Sequence, residues 1–567
     1  MAQSEPDTDS SPQSRRTFLK FTGAGAAAAI AGCLGGDDGE PTPTPGENGD
    51  PNGDPDDEFV FLSSHAMDSP LDPALHNGST EMMAFFNFYD TLIWFDEDNQ
   101  PIANLATDWW AEDDGATFVF ELRDGVKTHD GNEIDAEDLE YSLERYINIG
   151  LGLSGHFTGV YESSEARDDG TFAISTEFPF PPFFNAFILV HAVDSTVVRE
   201  HEEPGDFGDR GDWGQAYLAE NVAGSGPYKL DVWRREEELV YEWFEDYWGG
   251  WESNQFSTIR QLVIPEDSTQ QIMMESSDAD MSSDLLAPQI YDQLDQLDHI
   301  NFVLEPLLVV NYHITNTTKP PLDDVNFRKA VAHSIDYDVL RENIYGFMLP
   351  NAGCIPDELP GSNDELEPYA LDEEVALQAF EDCEYTAEEI NDMEMECHFF
   401  AGSETGSNSA LQLQSALDDL FGIDISIQET SLPDLVALFS DPDTNPHFTT
   451  GLAFTADYPD HDQFLHFMWH PDSTTDKTGH PAGANYFTDP ELTDLIEQSR
   501  RELDEQARYD LYAEAEAIVY HNYASMFLGS NPATYALNTS VGGFSYTGAQ
   551  GTERRIYDMY RIGDGRD

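Results

Sequence analysis

The sequence predicts an α/β fold of two or three domains. The chain has 567 residues, of which 40% are hydrophobic and 12% aromatic, and this is enough apolar material for several packed cores. Segments with strand character at 255–266 and 422–429 alternate along the chain with amphipathic helical segments at 411–420 and 491–520. Strands that alternate with helices are typical of α/β layers, and the sequence shows no internal repeat.

An export signal is predicted at residues 14–33. Arg15 and Arg16 are followed by Lys20 and by an uncharged run, residues 21–32, which is too short to cross a bilayer, since a spanning helix needs about 20 apolar residues. A cationic start, a short apolar middle and a small-residue exit together indicate export. The SRRTFLK segment resembles the twin-arginine consensus, whose pathway carries folded proteins. The alternative is a buried Ala/Gly-rich helix behind a chance arginine pair.

The leader ends in Ala31-Gly32-Cys33, which resembles a lipoprotein box. Cys33 is therefore predicted to be the lipidated first residue of the mature protein. Residues 34–57 are Gly, Pro, Asp, Glu, Asn and Thr apart from Leu34, so they offer too little apolar surface to offset the entropy of ordering. We expect a disordered acidic tether that holds a folded body at the outer face of the membrane through the lipid on Cys33.

The charge balance excludes two classes of partner. There are 111 Asp and Glu residues against 25 Lys and Arg, a formal net charge of −86. Nucleic-acid binding needs clustered Lys and Arg, and so does direct adhesion to anionic lipid. Dispersed acid with little lysine resembles haloarchaeal protein surfaces, where dense salt screens the self-repulsion. We expect a halophilic protein that unfolds at low salt.

The body of the chain is predicted to begin near Glu58. The segment EFVFLSS has the composition of a buried strand, and residues 81–89 have helical spacing. Residues 115–123 alternate, which predicts a half-buried strand. The two faces of that strand would be Thr117, Val119 and Glu121 against Phe118, Phe120 and Leu122.

A helix is predicted to start after Asp135. Asp135 is suited to be its N-cap, and Asp138 lies three residues on, as in a capping box. Its apolar stripe would comprise Leu139, Leu143 and Tyr146.

The cysteines and catalytic motifs say little about chemistry. Besides Cys33 there are Cys354, Cys383 and Cys397, of which the last two could pair in an oxidising exterior, although their spacing does not show it. No CxxC occurs, which disfavours a thiolate zinc site, and no cofactor is expected. The sequence contains no GxSxG, HExxH or GxxxxGK[ST], so an enzyme would be hidden rather than excluded.

A family resemblance starts in the block WWAEDDGATFVFELRDGVKTHDGNEIDAEDLEYSLER at 109–145. This block resembles the signature of the family 5 extracellular solute-binding proteins, the peptide- and nickel-binding components of ABC importers. The resemblance extends from about Glu58 to Arg561. Further matching segments, in order, are 223–230, 246–248, 312–330, 456–460 and 504–517.

The resemblance implies a periplasmic-binding-protein-like fold of type II, cluster C. Two α/β lobes would enclose a central ligand cleft, with an additional inserted domain. The first lobe would be discontinuous, at 58–95, 222–308 and 527–567. The inserted domain would be 96–221 and the second lobe 309–526.

The resemblance also implies a function. The chain would be an extracellular receptor that captures di- or oligopeptides by hinge closure and delivers them to a membrane permease, with ATPase subunits driving release. It would act as a monomer and would not be an enzyme. Within the same fold, metal-chelate or oligosaccharide binding stays open, and so does a secreted enzyme or a chaperone-like surface protein.

The segment TTGLAFTAD at 449–457 carries the predicted ligand site. A cleft that holds a peptide by its backbone needs an exposed strand edge and a fixed charge for each terminus. In the oligopeptide branch, the Asp before Tyr binds the ligand's α-amino group, and it matches Asp457. The strand residues that pair with the peptide match Ala453, Phe454 and Thr455. Alternatively, Asp457 caps the turn that follows.

A loop and a tyrosine elsewhere in the chain also match cleft residues of the family. Asn77, Gly78 and Ser79 follow an LDPA segment, and here Asn replaces an acid that some oligopeptide binders carry. Tyr312 lies where the chain should cross between lobes. An exposed loop and plain hinge packing are the alternatives.

Asn77, Asn316 and Asn538 each begin an Asn-x-Ser/Thr triplet, so their glycosylation also stays open.

Histidine and tryptophan clusters support the other ligand classes. His461, His466 and His470 include an i, i+4 pair on one helix face, a spacing that suits a metal, but no third ligand is set by spacing. The Trp109-Trp110 pair suggests sugar stacking, although core packing is the usual role of tryptophans at this place in the family.

Overall fold

The computed structural model of the chain describes residues 54–55, 57–67, 69–75, 79–96, 99–284, 286–478, 480–545 and 555–563. Arg15, Arg16, Cys33, Asn77 and Gly78 lie outside these residues, as does most of the predicted tether. Among the helices within the described ranges, none has both the length and the apolar character needed to cross a membrane.

The described residues form a mixed α/β structure. Its strands are β1 Asp57–Ser63, β2 Ile93–Phe95, β3 Pro101–Ala103, β4 Ala106–Glu112, β5 Thr117–Leu122, β6 Tyr161–Ala166, β7 Phe172–Thr176, β8 Tyr228–Arg234, β9 Glu238–Trp243, β10 Phe256–Val263, β11 Ile300–Glu305, β12 Val309–Thr315, β13 Glu396–Phe400, β14 Ser426–Thr430, β15 Phe448–Thr455, β16 Met526–Gly529, β17 Ala533–Asn538, β18 Val541–Gly542 and β19 Tyr560–Arg561. Its α-helices are α1 Ser79–Phe88, α2 Ala136–Ile149, α3 Ser195–Glu200, α4 Gln215–Leu218, α5 Asp267–Glu275, α6 Pro288–Leu294, α7 Val325–Ser334, α8 Glu373–Glu381, α9 Ala387–Asp392, α10 Glu404–Phe421, α11 Leu432–Phe439, α12 His461–Trp469, α13 Thr475–Thr478, α14 Pro490–Ser499 and α15 Glu505–His521.

The first lobe is built on a sheet in the order β1-β10-β9-β8, in which β1 runs parallel to β10. The C-terminal tail returns to this sheet and is held by charge. Arg561 lies 2.7 Å from Asp280, pairs with Asp57 at 2.6 Å and donates to the carbonyl of Glu58. Strand β17 from the same part of the chain pairs with β11. Segments distant in sequence therefore complete one lobe.

The inserted domain has an antiparallel sheet in the order β4-β5-β7-β6. Helix α2 begins with the predicted capping box, because the Asp135 side chain accepts from the N–H of Asp138 and the Asp138 side chain accepts from the N–H of Asp135. The predicted stripe of Leu139, Leu143 and Tyr146 is buried. This domain shares one continuous hydrophobic core with the first lobe, so the two pack as one body.

Two expectations for the inserted domain need correction. Strand β5 is buried on both faces over Thr117–Phe120 and is not half-buried. Trp110 is 38% exposed and does not belong to the core, whereas Trp109 packs against Phe184 with ring centroids 5.4 Å apart. Trp110 is the cross-strand partner of Val119, so the two side chains lie on the same face of the sheet.

The second lobe has its own core and a five-stranded sheet in the order β14-β13-β15-β12-β16. Strand β16 pairs with β12, so the predicted lobe boundary between residues 526 and 527 falls within a strand of this sheet. The single helical segment expected over 491–520 is two helices, α14 and α15, separated at residues 500–504.

The cysteines of the second lobe are separate. Cys354, Cys383 and Cys397 are all free thiols, so the pairing of Cys383 with Cys397 considered from the sequence is wrong for this structure. Cys397 is buried within β13, whereas Cys383 follows α8 and is half-buried. Burial raises the pKa of both thiols to about 12, which keeps them in the protonated, unreactive form at neutral pH.

Candidate functional site

Strand β15 has an open edge at its C-terminal end. Strand β12 pairs with β15 along its length, but on the other side β13 pairs only with residues 448–450. Among the residues that the structure describes, no strand continues that side along 451–455. The second lobe therefore presents a short length of unpaired strand edge, which is a template for an added extended segment.

The ladder shows which backbone groups this edge offers. The N–H of Ala456 donates to the carbonyl of Leu308 at 2.9 Å. In an antiparallel pair alternate residues point their N–H and C=O toward the partner strand, so those of Ala453 and Thr455 point away from β12. Of these two residues, Ala453 is exposed and Thr455 is half-buried. Phe454 faces the opposite way, 7% exposed, and packs on Phe464.

A close approach of two backbones positions the start of the open edge. Gly451 has a φ of +75°, and a Cβ added there would lie 2.5 Å from the Cα of Gly406 in α10. Glycine is the residue that permits both this φ and this contact. Thr450 reinforces the contact by donating its hydroxyl to the carbonyl of Gly406 at 2.8 Å.

Asp457 follows the open edge directly, and it is not the cap of the next helix. Asp460 is the N-cap of α12, since its side chain accepts from the N–H of Asp462. The N–H of Asp457 donates to the Gln463 side chain at 3.1 Å, which fixes the backbone at the end of the open edge. The side chain of Asp457 is 21% exposed.

The carboxylate of Asp457 contacts His156 of the inserted domain through Oδ2 and Nε2. His156 lies in the 3₁₀ segment Gly152–Phe157, and its ring makes edge contacts with Tyr458 and Phe467 at centroid distances of 5.4 and 4.9 Å. Its other nitrogen is 3.4 Å from the Gln463 amide. Sequence reasoning missed His156, because no local motif marks it and its partners are about three hundred residues away in the chain.

The segment around Asp457 joins the two bodies. Tyr458 is 1% exposed and belongs to the core of the first lobe and inserted domain, although its neighbours in sequence belong to the second lobe. Asn185 of the inserted domain donates to the carbonyl of Pro459 at 2.9 Å. The structure therefore has the inserted domain resting on the second lobe.

Two arginines of the second lobe extend this contact. The guanidinium of Arg500 lies 4.5 Å from the ring centroid of Phe180, and that of Arg501 lies 4.8 Å from the centroid of Phe178. These are cation–π distances. Asp462 lies 3.0 Å from Arg500 Nε, as an ion pair without hydrogen-bond alignment. We refer to Arg500, Arg501, Phe178 and Phe180 as the arginine clamp.

Tyr312 does not face the open edge. It pairs with Leu452 and so lies on the face of β12 and β15 opposite to Ala453 and Thr455. It is 2% exposed within the core of the second lobe, and burial raises the pKa of its hydroxyl. We therefore leave Tyr312 out of the site proposed below. Ser79 opens α1 in the first lobe, and Asn77 and Gly78 precede it outside the described residues.

Each of the three histidines in the cluster stacks on another ring. His461 is buried and stacks on Tyr512 with ring centroids 4.7 Å apart, while His466 and His470 stack on each other. Burial lowers the pKa of His461 to about 3 and also lowers that of the other two. Within the described ranges, no group of three or more His, Cys, Asp or Glu side chains is arranged to hold a metal ion.

Family comparison matches two parts of the chain. The family model described as "Bacterial extracellular solute-binding proteins, family 5 Middle" matches residues 100–476. The model of the twin-arginine translocation pathway signal sequence matches residues 12–32.

Curated relatives align over most of the chain. The probable D,D-dipeptide-binding periplasmic protein of Escherichia coli is 25% identical over 504 residues, which cover 86% of this chain and 92% of the relative. The oligopeptide-binding protein of Bacillus subtilis is 22% identical over 477 residues, which cover 79% of this chain and 83% of the relative.

Solved structures share the fold. The periplasmic binding protein DppA from Helicobacter pylori, solved with the peptide STSA, superposes with a TM-score of 0.74 at 22% identity and covers 89% of this chain and 98% of that chain. The unliganded open form of the murein tripeptide-binding protein MppA superposes with a TM-score of 0.71 at 20% identity, covering 92% and 100%. These similarities confirm the two-lobe α/β fold class.

Proposed function

This chain belongs to the family 5 extracellular solute-binding proteins, and from that premise we propose that it is the peptide receptor of an ABC importer. The observation that carries the proposal is the open edge of β15 ending at Asp457. Two relatives support it by their names, since one is a probable D,D-dipeptide-binding protein and the other an oligopeptide-binding protein. The solved structure with peptide STSA adds the same support.

The proposed binding mode uses backbone recognition. The peptide lies extended along Ala453 and Thr455, whose N–H and C=O groups continue the sheet, so it is held with little dependence on its side chains. Its amino terminus lies at Asp457. An ammonium–carboxylate contact in a partly dry cleft is charge-assisted and about twice as strong as a neutral hydrogen bond. Phe454 contributes packing beneath the edge rather than direct contact.

His156 and the ligand's amino terminus compete for the Asp457 carboxylate. In the structure the Asp457 carboxylate already has His156 as a partner. An arriving ammonium must replace that contact or share the carboxylate, so the net gain is smaller than the gross strength of the new ion pair. We propose that the ligand displaces His156 from Asp457 while the inserted domain stays against the second lobe.

The proposal extends to where the receptor works. Export by the twin-arginine route, with lipid attached to Cys33, would leave a monomeric receptor tethered outside the cell and able to present its closed, loaded form to a permease with ATPase subunits. The chain would bind and not catalyse. Because the chain has a net charge of −86, we propose that it binds its ligand in concentrated salt, which screens the self-repulsion. The three histidines that suggested direct metal binding stack with other rings, so they are not proposed as metal ligands.

Calorimetric titration at high salt tests the proposal. Tripeptides with a free amino terminus should bind, and the same peptides acetylated at that terminus should bind much more weakly. Asp457→Asn should weaken the free peptides by about 2–5 kcal/mol, because it removes one partner of a buried charge pair, and should leave the acetylated peptides unchanged.

Asp443→Asn is the matched control for Asp457→Asn, since Asp443 is an exposed acid of the same lobe. It should bind both kinds of peptide like the unaltered chain. Equal affinity of Asp457→Asn and the unaltered chain for free peptides would remove Asp457 from the site. Failure of every peptide to bind would overturn the peptide assignment.

A further inference from the structure

A single backbone contact fixes the orientation of the Gln463 amide. Gln463 is fully buried in α12, and the backbone N–H of Asp457 lies 3.1 Å from one end of its side chain. A backbone N–H can only donate, so that end of the amide is the carbonyl oxygen and the other end is the NH₂ group. The amide therefore cannot turn over without leaving the N–H of Asp457 unpaired.

The NH₂ group of Gln463 faces the ring of His156. The nitrogen of this group lies 3.4 Å from Nδ1 of His156, while Nε2 of His156 contacts the Asp457 carboxylate. An amide NH₂ only donates, so Nδ1 is the acceptor and carries no proton. The hydrogen bond at one ring nitrogen sets which nitrogen is protonated. In this arrangement His156 is a neutral imidazole that donates its Nε2–H to Asp457.

A second proton on His156 is opposed by its surroundings. It would sit on Nδ1 and point at the NH₂ group of Gln463, whose orientation is fixed. His156 is 9% exposed, so a charged ring would also lose hydration. The carboxylate of Asp457 acts in the other direction, because a nearby negative charge favours the protonated ring. The Gln463 amide is thus the contact that specifically disfavours an imidazolium at this place.

Three further titratable groups act on the same site. Desolvation lowers the pKa of His480 and raises that of Tyr146, so both are neutral near pH 7. Burial raises the pKa of Asp462 to about 6, and its carboxylate lies 3.0 Å from Arg500. The hydrogen bonds that the structure gives the ring of His156 are those with Asp457 and Gln463.

We propose that Gln463 is the positioning residue of the peptide site, because it holds His156 as a neutral donor to Asp457. This inference rests on the proposed function, since the group that replaces His156 is the ligand's ammonium. The ammonium then displaces a neutral imidazole, which is a weaker competitor for a carboxylate than an imidazolium, since it has no net charge. The proton on Nε2 stays on His156, so peptide binding releases no proton.

Nitrogen NMR of the full chain with isotope-labelled histidine measures the charge of His156 without any ligand, and His156→Phe identifies its signals. At pH 7 and one fixed high salt concentration, Nε2 should be protonated and Nδ1 unprotonated. Gln463→Glu should protonate both nitrogens, because one carboxylate oxygen still accepts from the N–H of Asp457 and the other accepts from Nδ1–H. Gln498→Glu adds the same charge at an exposed position of α14 and should leave the pattern unchanged.

Calorimetry with trialanine counts the protons exchanged on binding. Titrations of the unaltered chain at pH 7 in two buffers of different ionisation enthalpy should show no release. About 0.1 proton should be taken up, since the ligand's own amino group has a pKa of about 8.

Three results would each overturn the inference. They are the release of most of a proton, two protonated nitrogens on His156 in the unaltered chain, and a pattern that Gln463→Glu leaves unchanged. Failure of every peptide to bind is a different result. It would overturn the proposed function, and this inference with it, even if His156 proved neutral.

Discussion

His156 and Asp457 are 301 residues apart in the chain, and their side chains meet across the boundary between the inserted domain and the second lobe. Gln463 holds both of them, through the N–H of Asp457 and through Nδ1 of His156. The acid that the family resemblance assigns to the ligand's amino group is therefore already engaged by the protein itself. The ligand's ammonium group therefore replaces the His156 contact, and the net free energy of binding is the difference between the two contacts.

Replacing His156 with an aromatic residue that has no ring nitrogens tests how much the His156–Asp457 contact costs ligand binding. His156→Phe preserves the packing against Tyr458 and Phe467 but takes the partner away from Asp457. Peptides with a free amino terminus should then bind about tenfold more tightly, which corresponds to about 1.4 kcal/mol for one charge-assisted hydrogen bond no longer displaced. Calorimetry measures this change, with acetylated peptides as the control that should not respond. Weaker binding of the free peptides would show that His156 assists the ligand instead of competing with it.

The arginine clamp should govern how far the inserted domain stays closed without ligand. Replacing Arg500 and Arg501 together with Gln removes their three cation–π contacts with Phe178 and Phe180, each of which contributes about 0.5–2 kcal/mol. We expect a larger radius of gyration in small-angle scattering of the unliganded chain. Peptide binding should weaken several-fold, because the competent closed form is then less populated.

The control for the clamp is Arg235→Gln. Arg235 also lies over an aromatic ring, with its guanidinium 4.0 Å from the centroid of Trp233, but within the first lobe. This variant should keep the scattering profile and the affinity of the unaltered chain. If the double variant also scatters like the unaltered chain, the clamp does not hold the closed form.

How much of this architecture could be predicted from sequence depends on whether the signal is local. The capping box of Asp135 and Asp138 and the buried strand after Glu58 are written in adjacent residues, and the structure confirms both. The exposure of Trp110 could not be predicted, because it depends on β4 lying at the edge of its sheet, which adjacent residues do not show.

The site divides in the same way. The family motif identifies Asp457 and the strand before it, but only the pairing of β12 and β13 shows which backbone groups of that strand are open. The role of His156 could not be predicted from the sequence, because its partners come from another domain. The pairing of β16 with β12 could not be predicted for a similar reason, since the two strands are more than two hundred residues apart in the chain.

Glu516 should make the protein less stable as the pH rises. It is 2% exposed in α15, and burial raises the pKa of its carboxyl to about 8, although the side chain accepts from the N–H of Ile355 at 3.0 Å. The unfolded chain releases this proton near pH 4.5 and the folded chain only near pH 8. Between these values the folded state binds more protons, so the free energy of unfolding should fall by at most about 1.4 kcal/mol per pH unit from this group.

Denaturant unfolding at constant salt and at pH 5, 6.5 and 8 measures this dependence. Glu516→Gln should flatten it, since the amide does not titrate. Glu514→Gln, an exposed position of the same helix, should keep the slope of the unaltered chain. A slope that is the same in all three proteins would mean that another group carries the pH dependence.

The export route gives a prediction about glycosylation. Asn316 is fully buried, and its amide donates to the carbonyls of Pro442 and Asn445 at 2.8 and 3.2 Å. Asn538 is 5% exposed in β17, and its side-chain oxygen accepts from the N–H of Ser540. A bulky glycan needs an accessible amide on the surface. A chain exported in its folded state would therefore reach the outside with both amides already enclosed.

We expect both asparagines to be unmodified in protein isolated from its native cells, and peptide mapping by mass spectrometry measures their occupancy directly. The same chain, denatured and offered to a glycosylating extract from those cells, is the control and should become modified at both positions, because unfolding exposes the two Asn-x-Ser/Thr triplets. A glycan on Asn316 in the native protein would mean that modification preceded folding. That result would contradict twin-arginine export of a folded body, since the buried amide has no route to a glycosylating enzyme once its hydrogen bonds are made.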